Sequence, residues 1–111
     1  EARAERLLAQ MDIAPGENRR RLAYAVALVL NDAANAGRLK HTVYPAVAER
    51  FHTTPRRVED GLRRAIDAAW TTGNSERQYA LFGNTIDARR GKPTTASLLA
   101  TAAELLRQEV E

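Results

Sequence analysis

Residues 43–70 read VYPAVAERFHTTPRRVEDGLRRAIDAAW, and their pattern decides the fold. The first part, 43–51, predicts a short helix with Val47, Ala48 and Phe51 facing inward; Pro45 falls in its first turn, where the missing N–H leaves no bond unmade. Thr54-Pro55 then marks a helix start, a hydroxyl cap followed by a residue whose φ is preset for the first helical position. This second helix continues to about Thr71, because Val58, Leu62, Ala65, Ile66 and Ala69 recur on one face. Gly73-Asn74 ends it. Two helices joined by a tight turn at His52–Pro55 have the proportions of a helix-turn-helix, over about residues 43–71.

Outward from this pair the chain stays helical. Residues 1–11 predict a helix with Leu7, Leu8 and Met11 inward, closed by the breaker segment 12–16. A second helix is expected over about 18–36, with Leu22, Val26, Val29, Leu30 and Ala33 as its stripe and Gly37 as its cap. Residues 76–82 predict a short helix and 84–91 a polar loop. Thr94 caps a last helix over 96–110, with Leu98, Leu99, Ala102, Leu105 and Leu106 inward. No strand or internal repeat emerges. The expectation is an all-α fold of about six helices with an embedded helix-turn-helix, residues 1–111 forming a single helical domain.

Bulk properties narrow the class. The absence of cysteine excludes disulfide scaffolds, thiolate metal sites and thiol nucleophiles, and fits a cytoplasmic location. The longest apolar run, LAYAVALVL at 22–30, is far short of the roughly 20 residues a membrane span needs. No signal peptide is visible, and Glu1 rather than Met at position 1 suggests a piece of a longer protein. His41 and His52 have no further strong ligand nearby, so no metal site is expected. With no Gly-rich phosphate loop and no Ser–His–carboxylate set, no cofactor and no catalysis are expected. The net charge of +3 raises the prior for a nucleic-acid partner, and its placement matters more than its size.

The placement is suggestive. Opposite its apolar stripe, the helix after Pro55 carries Arg56, Arg57, Asp60, Arg63, Arg64 and Asp67. Arginine at the start of such a helix can enter the major groove and donate two hydrogen bonds to guanine. Thr53 and Thr54 stand where a phosphate contact is natural, although Thr54 is first of all a cap. The plain alternative is a solvated face laced by the i,i+4 pairs Arg56–Asp60, Glu59–Arg63, Asp60–Arg64 and Arg63–Asp67. Trp70, Tyr44 and Phe51 are expected in the core. The segment with Asp87, Arg89, Arg90 and Lys92 reads either as a basic loop touching a DNA backbone or as a solvated one.

At these residues the chain resembles the C-terminal effector domain of the stage-zero sporulation protein A family, the response regulators that start endospore formation in Firmicutes. The resemblance rests on His41-Thr42-Val43-Tyr44-Pro45 leading into Val47-Ala48-Glu49-Arg50-Phe51. It continues through Thr53-Thr54-x-x-Arg57-Val58-Glu59, Leu62-Arg63-x-Ala65-Ile66-x-x-Ala69-Trp70 and Gly73-Asn74. Leu81-Phe82-Gly83-x-Thr85-Ile86 and Lys92-Pro93-Thr94 complete it, so it spans nearly the whole chain.

The resemblance implies a six-helix bundle that binds double-stranded DNA at GTCGA-like promoter elements, with domains in tandem as a dimer on repeated elements. It implies an N-terminal receiver domain in the whole protein. It matches Arg57 to a base-reading arginine, Glu59 to an acidic neighbour at the same interface, and Arg63 and Arg64 to positions near the backbone. Lys92 matches a lysine that can reach DNA. Phe82 and Ile86 match a surface that touches the RNA polymerase sigma subunit, although Phe82 reads equally well as core. One departure stands out: Asp60 replaces a DNA-contacting arginine, and Gly61 replaces an alanine. Losing a good base contact costs ~1–3 kcal/mol of discrimination, and Gly61 costs up to ~1 kcal/mol of helix stability. Asp60 could instead accept from a cytosine amino group, and Arg56 could partly compensate. The rival expectation is a protein-interaction module in which DNA binding has degenerated.

Overall fold

The computed structural model describes residues 1–82 and 91–109. Among the described residues six α-helices follow one another: α1 Ala2–Gln10, α2 Glu17–Asn31, α3 Tyr44–Arg50, α4 Pro55–Thr72, α5 Ser75–Phe82 and α6 Thr95–Glu109. No strand occurs among the described residues. The all-α expectation holds.

The core collects the predicted stripes. Leu7, Leu8 and Met11 of the first helical segment meet Leu22, Val26 and Val29 of α2, Val58, Leu62 and Ile66 of α4, and Leu98, Leu99 and Leu106 of α6. Helix α2 lies at the centre, packed on α1, α4 and α6. Its apolar breadth follows from that position, since a helix touched on several sides needs more than one apolar stripe. Leu105 is only half-buried.

Helix α2 ends earlier than expected. It stops at Asn31, and the chain resumes as a 3₁₀ turn over Ala33–Gly37. Asp32 takes an extended backbone and its carboxylate accepts from the Ala34 N–H at 3.1 Å. A short acidic side chain that bonds its own backbone offers the chain an alternative to the helix ladder. Buried Asn35 completes the stop by donating to the Leu28 carbonyl at 2.9 Å. Gly37 therefore closes the 3₁₀ turn rather than α2, and Ala33 is exposed.

A second feature had no signal in the sequence. Leu39–Val43 forms a π-type turn that runs directly into α3. Helix C-termini elsewhere are capped by guanidinium groups from distant elements. Arg3 donates to the Leu106 carbonyl at 2.6 Å, and Arg107 donates to Val29 at 3.2 Å and Leu30 at 3.4 Å. Such donors satisfy last-turn carbonyls and complement the helix dipole.

Candidate nucleic-acid interface

The turn between α3 and α4 is built from local chemistry. Phe51 ends α3, and His52 takes a left-handed backbone with φ 58°. The Thr53 N–H then bonds the Ala48 carbonyl at 2.9 Å and the His52 N–H bonds the Glu49 carbonyl at 3.4 Å. This pair of bonds is a Schellman closure, which reverses the chain within a few residues. Thr54 restarts it: its hydroxyl oxygen accepts from the Arg57 N–H at 3.2 Å, with Pro55 in the first turn of α4. The cap role expected for Thr54 is present, and the residue remains exposed.

An aromatic cluster pins the turn from behind. Tyr24 of α2 meets Phe51 edge-on at 6.4 Å between ring centroids. The Arg50 guanidinium lies over Tyr24 at 4.5 Å and that of Arg21 over Phe51 at 5.7 Å. Cation–π pairs of this kind contribute about 0.5–1 kcal/mol each at exposed sites. Phe51 is thus half-buried against α2 rather than at the centre of the core.

On the outer face of α4 the charges sort in a specific way. Asp60 holds two arginines, Arg63 at 2.9 Å and Arg56 at 3.8 Å. The Arg64 Nε donates to the Asp60 backbone carbonyl at 3.4 Å. Asp67 pairs across to Lys92, at the head of α6, at 2.8 Å. Arg57 stands apart: it is exposed, and among the described residues its guanidinium has no partner. Of the four i,i+4 pairs the sequence allows, only Arg56–Asp60 forms as a side-chain ion pair. Glu59 pairs with neither Arg57 nor Arg63. It lies instead beside Tyr44, whose phenol pKa is raised by burial and further by the Glu59 charge, with a hydrogen bond involving Thr95 and the Arg63 charge opposing.

Arg56, Arg57, Glu59, Asp60, Arg63 and Arg64 therefore share one surface of α4, and Lys92 is drawn to its edge. Phe82 is elsewhere. It is only 3% exposed and packs edge-on against Trp70 at 5.2 Å, so of its two expected roles the core is the one realised here. Ile86 lies outside the described residues, as do Asp87, Arg89 and Arg90. Among the described residues no group of His, Cys, Asp or Glu is arranged to hold a metal ion, and no helix is long and apolar enough to cross a membrane.

Sequence reasoning missed Lys40. The π-type turn brings it beside α4, into one open groove with Tyr44, Arg56, Glu59, Asp60 and Arg63. It also missed Gln78, buried in α5, whose amide donates to the Met11 carbonyl at 3.0 Å and the Ala69 carbonyl at 2.7 Å. Nothing in the sequence distinguishes either residue from other surface lysines and glutamines.

A short helix, a Schellman turn and a longer capped helix with an arginine-rich outer face define a DNA-binding domain of the helix-turn-helix class. Residues 16–106 match the family model described as sporulation initiation factor Spo0A C terminal. The chain belongs to that family, the DNA-binding domains of a sporulation regulator.

Proposed function

We propose that this domain reads promoter DNA by inserting the N-terminal half of α4 into the major groove, with Arg57 leading the base contacts. The observation that carries this reading is the contrast on α4: Arg57 is exposed and uncommitted at the capped helix start, while its basic neighbours are held by Asp60. Arg56, Arg63 and Arg64 then serve the phosphates, with Lys92 at the edge, and the Thr54 hydroxyl donates its O–H to the DNA backbone while its oxygen keeps the cap bond. Glu59 and Asp60 shape the site as acceptors. Family membership supports a GTCGA-like element and tandem pairing of two domains on DNA.

The resemblance also supports contact with the RNA polymerase sigma subunit at Phe82 and Ile86. Because Phe82 is buried, such a contact would run through the outer face of α5, where Tyr79 is 63% exposed.

The test is a fluorescence anisotropy titration of a labelled duplex with two tandem GTCGA-type elements against a scrambled duplex of equal length. Preference for the tandem element, weakened by salt, is the expected result. Equal salt-sensitive binding to both would mean that the target sequence has changed. One observation favours a second reading, a protein-interaction module. Asp60 neutralises two of the four arginines that face outward. If the native chain binds neither duplex and Asp60→Arg creates binding, that second reading replaces the first.

A further inference from the structure

We infer that Lys40, carried by the π-type turn ahead of the helix-turn-helix, is a DNA-backbone contact that receives one phosphate beside α4. The inference rests on the DNA-binding reading above and extends the interface beyond α4 and Lys92.

Three observations converge on it. The first is position. Lys40 lines an open groove of about 450 Å³ whose far wall is the outer face of α4, at Arg56, Asp60 and Arg63. A chain tracking the edge of α4 meets this groove next. The second is charge. Lys40, Arg56 and Arg63 face Glu59 and Asp60, three positive groups against two negative ones. Asp60 is already engaged by both arginines, and Glu59 lies beside Tyr44. Lys40 is exposed and has no ion pair among the described residues, so the surplus cation is the one free to meet an incoming anion. The third is rigidity. The turn is closed by the Thr42 and Val43 N–H groups on the Arg38 carbonyl, at 2.8 and 3.4 Å. Arg38 is itself fixed by Asp32 and by Asn35, each at 3.1 Å. The i→i+5 closure is a wide turn of a rare kind that is frequent at functional sites. A lysine on a fixed turn loses only its own side-chain freedom when it binds, so little of its attraction is spent on ordering the backbone. A lysine also suits a phosphate as a point charge, without the planar fork that base reading needs.

The experiment is anisotropy over a salt series with the tandem-element duplex and the scrambled duplex, comparing the native chain with Lys40→Gln, Lys40→Arg and Lys40→Glu. Lys40→Gln should weaken both duplexes alike, by about five- to tenfold near 0.1 M salt, and lower the slope of log K against log salt by about 1. Lys40→Arg should retain binding, and Lys40→Glu should lose more than Lys40→Gln. Unchanged affinity and slope for Lys40→Gln, with the native chain binding, overturns the assignment and leaves the DNA reading standing. A loss confined to the tandem element also overturns it, because that is the behaviour of a base reader. If the native chain binds neither duplex, the DNA reading itself fails and the assignment fails with it.

Discussion

Arg57 and Gly61 sit one turn apart on α4, the first exposed and the second buried against α2. The Arg57 backbone is held by the Thr54 hydroxyl while its guanidinium stays in solvent, so it can bond a base edge without first breaking an ion pair. Arg57→Ala should therefore cost about 1–3 kcal/mol on the tandem element and far less on scrambled DNA, read as a ratio of the two dissociation constants. Equal losses on both duplexes would make Arg57 a backbone contact. Gly61 points inward. A Cβ built there would lie 2.5 Å from Asn18 Oδ1 at the start of α2, so the glycine accommodates a side chain from another helix. Gly61→Ala in an Asn18→Ala background should gain up to ~1 kcal/mol in helix propensity, whereas in the native background the displaced Asn18 should offset part of that gain. Urea unfolding of the four proteins checks it, and identical effects in both backgrounds would remove Asn18 from the explanation.

At the level of elements, the chain reverses twice by the same device. His52 closes α3 and Asp12 closes α1, each with a left-handed backbone and the two bonds of a Schellman closure. A left-handed residue other than glycine carries a strain of roughly 1–2 kcal/mol, partly matched by the entropy that glycine would lose. His52→Gly should thus raise stability by about 0.5–1 kcal/mol, since the exposed imidazole has no bond among the described residues to lose, and leave DNA affinity unchanged, since His52 lies in the turn ahead of α4. Thermal unfolding measures the first and anisotropy the second; a fall in affinity would show that His52 touches DNA. At α1 the same strain is retained for a reason: the Asp12 carboxylate accepts from the Asn74 N–H at 2.6 Å and pairs with Arg77, joining the end of α1 to the start of α5. Gly73 must be glycine beside it, because a Cβ there would lie 2.8 Å from the Asp12 Cβ and 2.5 Å from the Gln78 amide.

That junction gives the whole molecule an acid sensitivity. The Asn74 N–H, helped by Arg77, holds the Asp12 pKa below its ordinary value against the opposing effect of burial. A carboxyl whose folded pKa is depressed contributes stability that is complete above its unfolded pKa and is lost as pH falls through its folded value. Asp12→Asn tolerates the left-handed backbone and removes the charge. The native chain should be the more stable of the two at neutral pH, and the stability curves should converge in acid below about pH 4. Curves that run parallel through that range would assign the acid sensitivity to other groups. The same whole-molecule view separates the two ends of the bundle: the aromatic cluster of Tyr24 and Phe51 steadies the helix-turn-helix, while Gln78 and Asp12 tie down α5 far along the chain.

The helix-turn-helix, the Thr54 and Thr94 caps and most of the core stripes of α2, α4 and α6 were legible in the order of residues alone. Those signals are short-range: a hydroxyl before a first turn, a proline with preset φ, an apolar residue every three or four places. The Thr94 hydroxyl duly accepts from the Ser97 N–H at 3.1 Å. The end of α2 at Asn31 was hidden because an Asp side chain competes with the helix only when its own backbone turns out, as at Asp32. The pairing of the charges on α4 could not be read from spacing. Helical spacing offered Arg63 both Glu59 and Asp67, yet Arg63 pairs with Asp60, and Lys92, from the head of α6, takes Asp67. Spacing along one helix names the partners within reach, whereas the elements packed across that helix decide which partner each charge keeps.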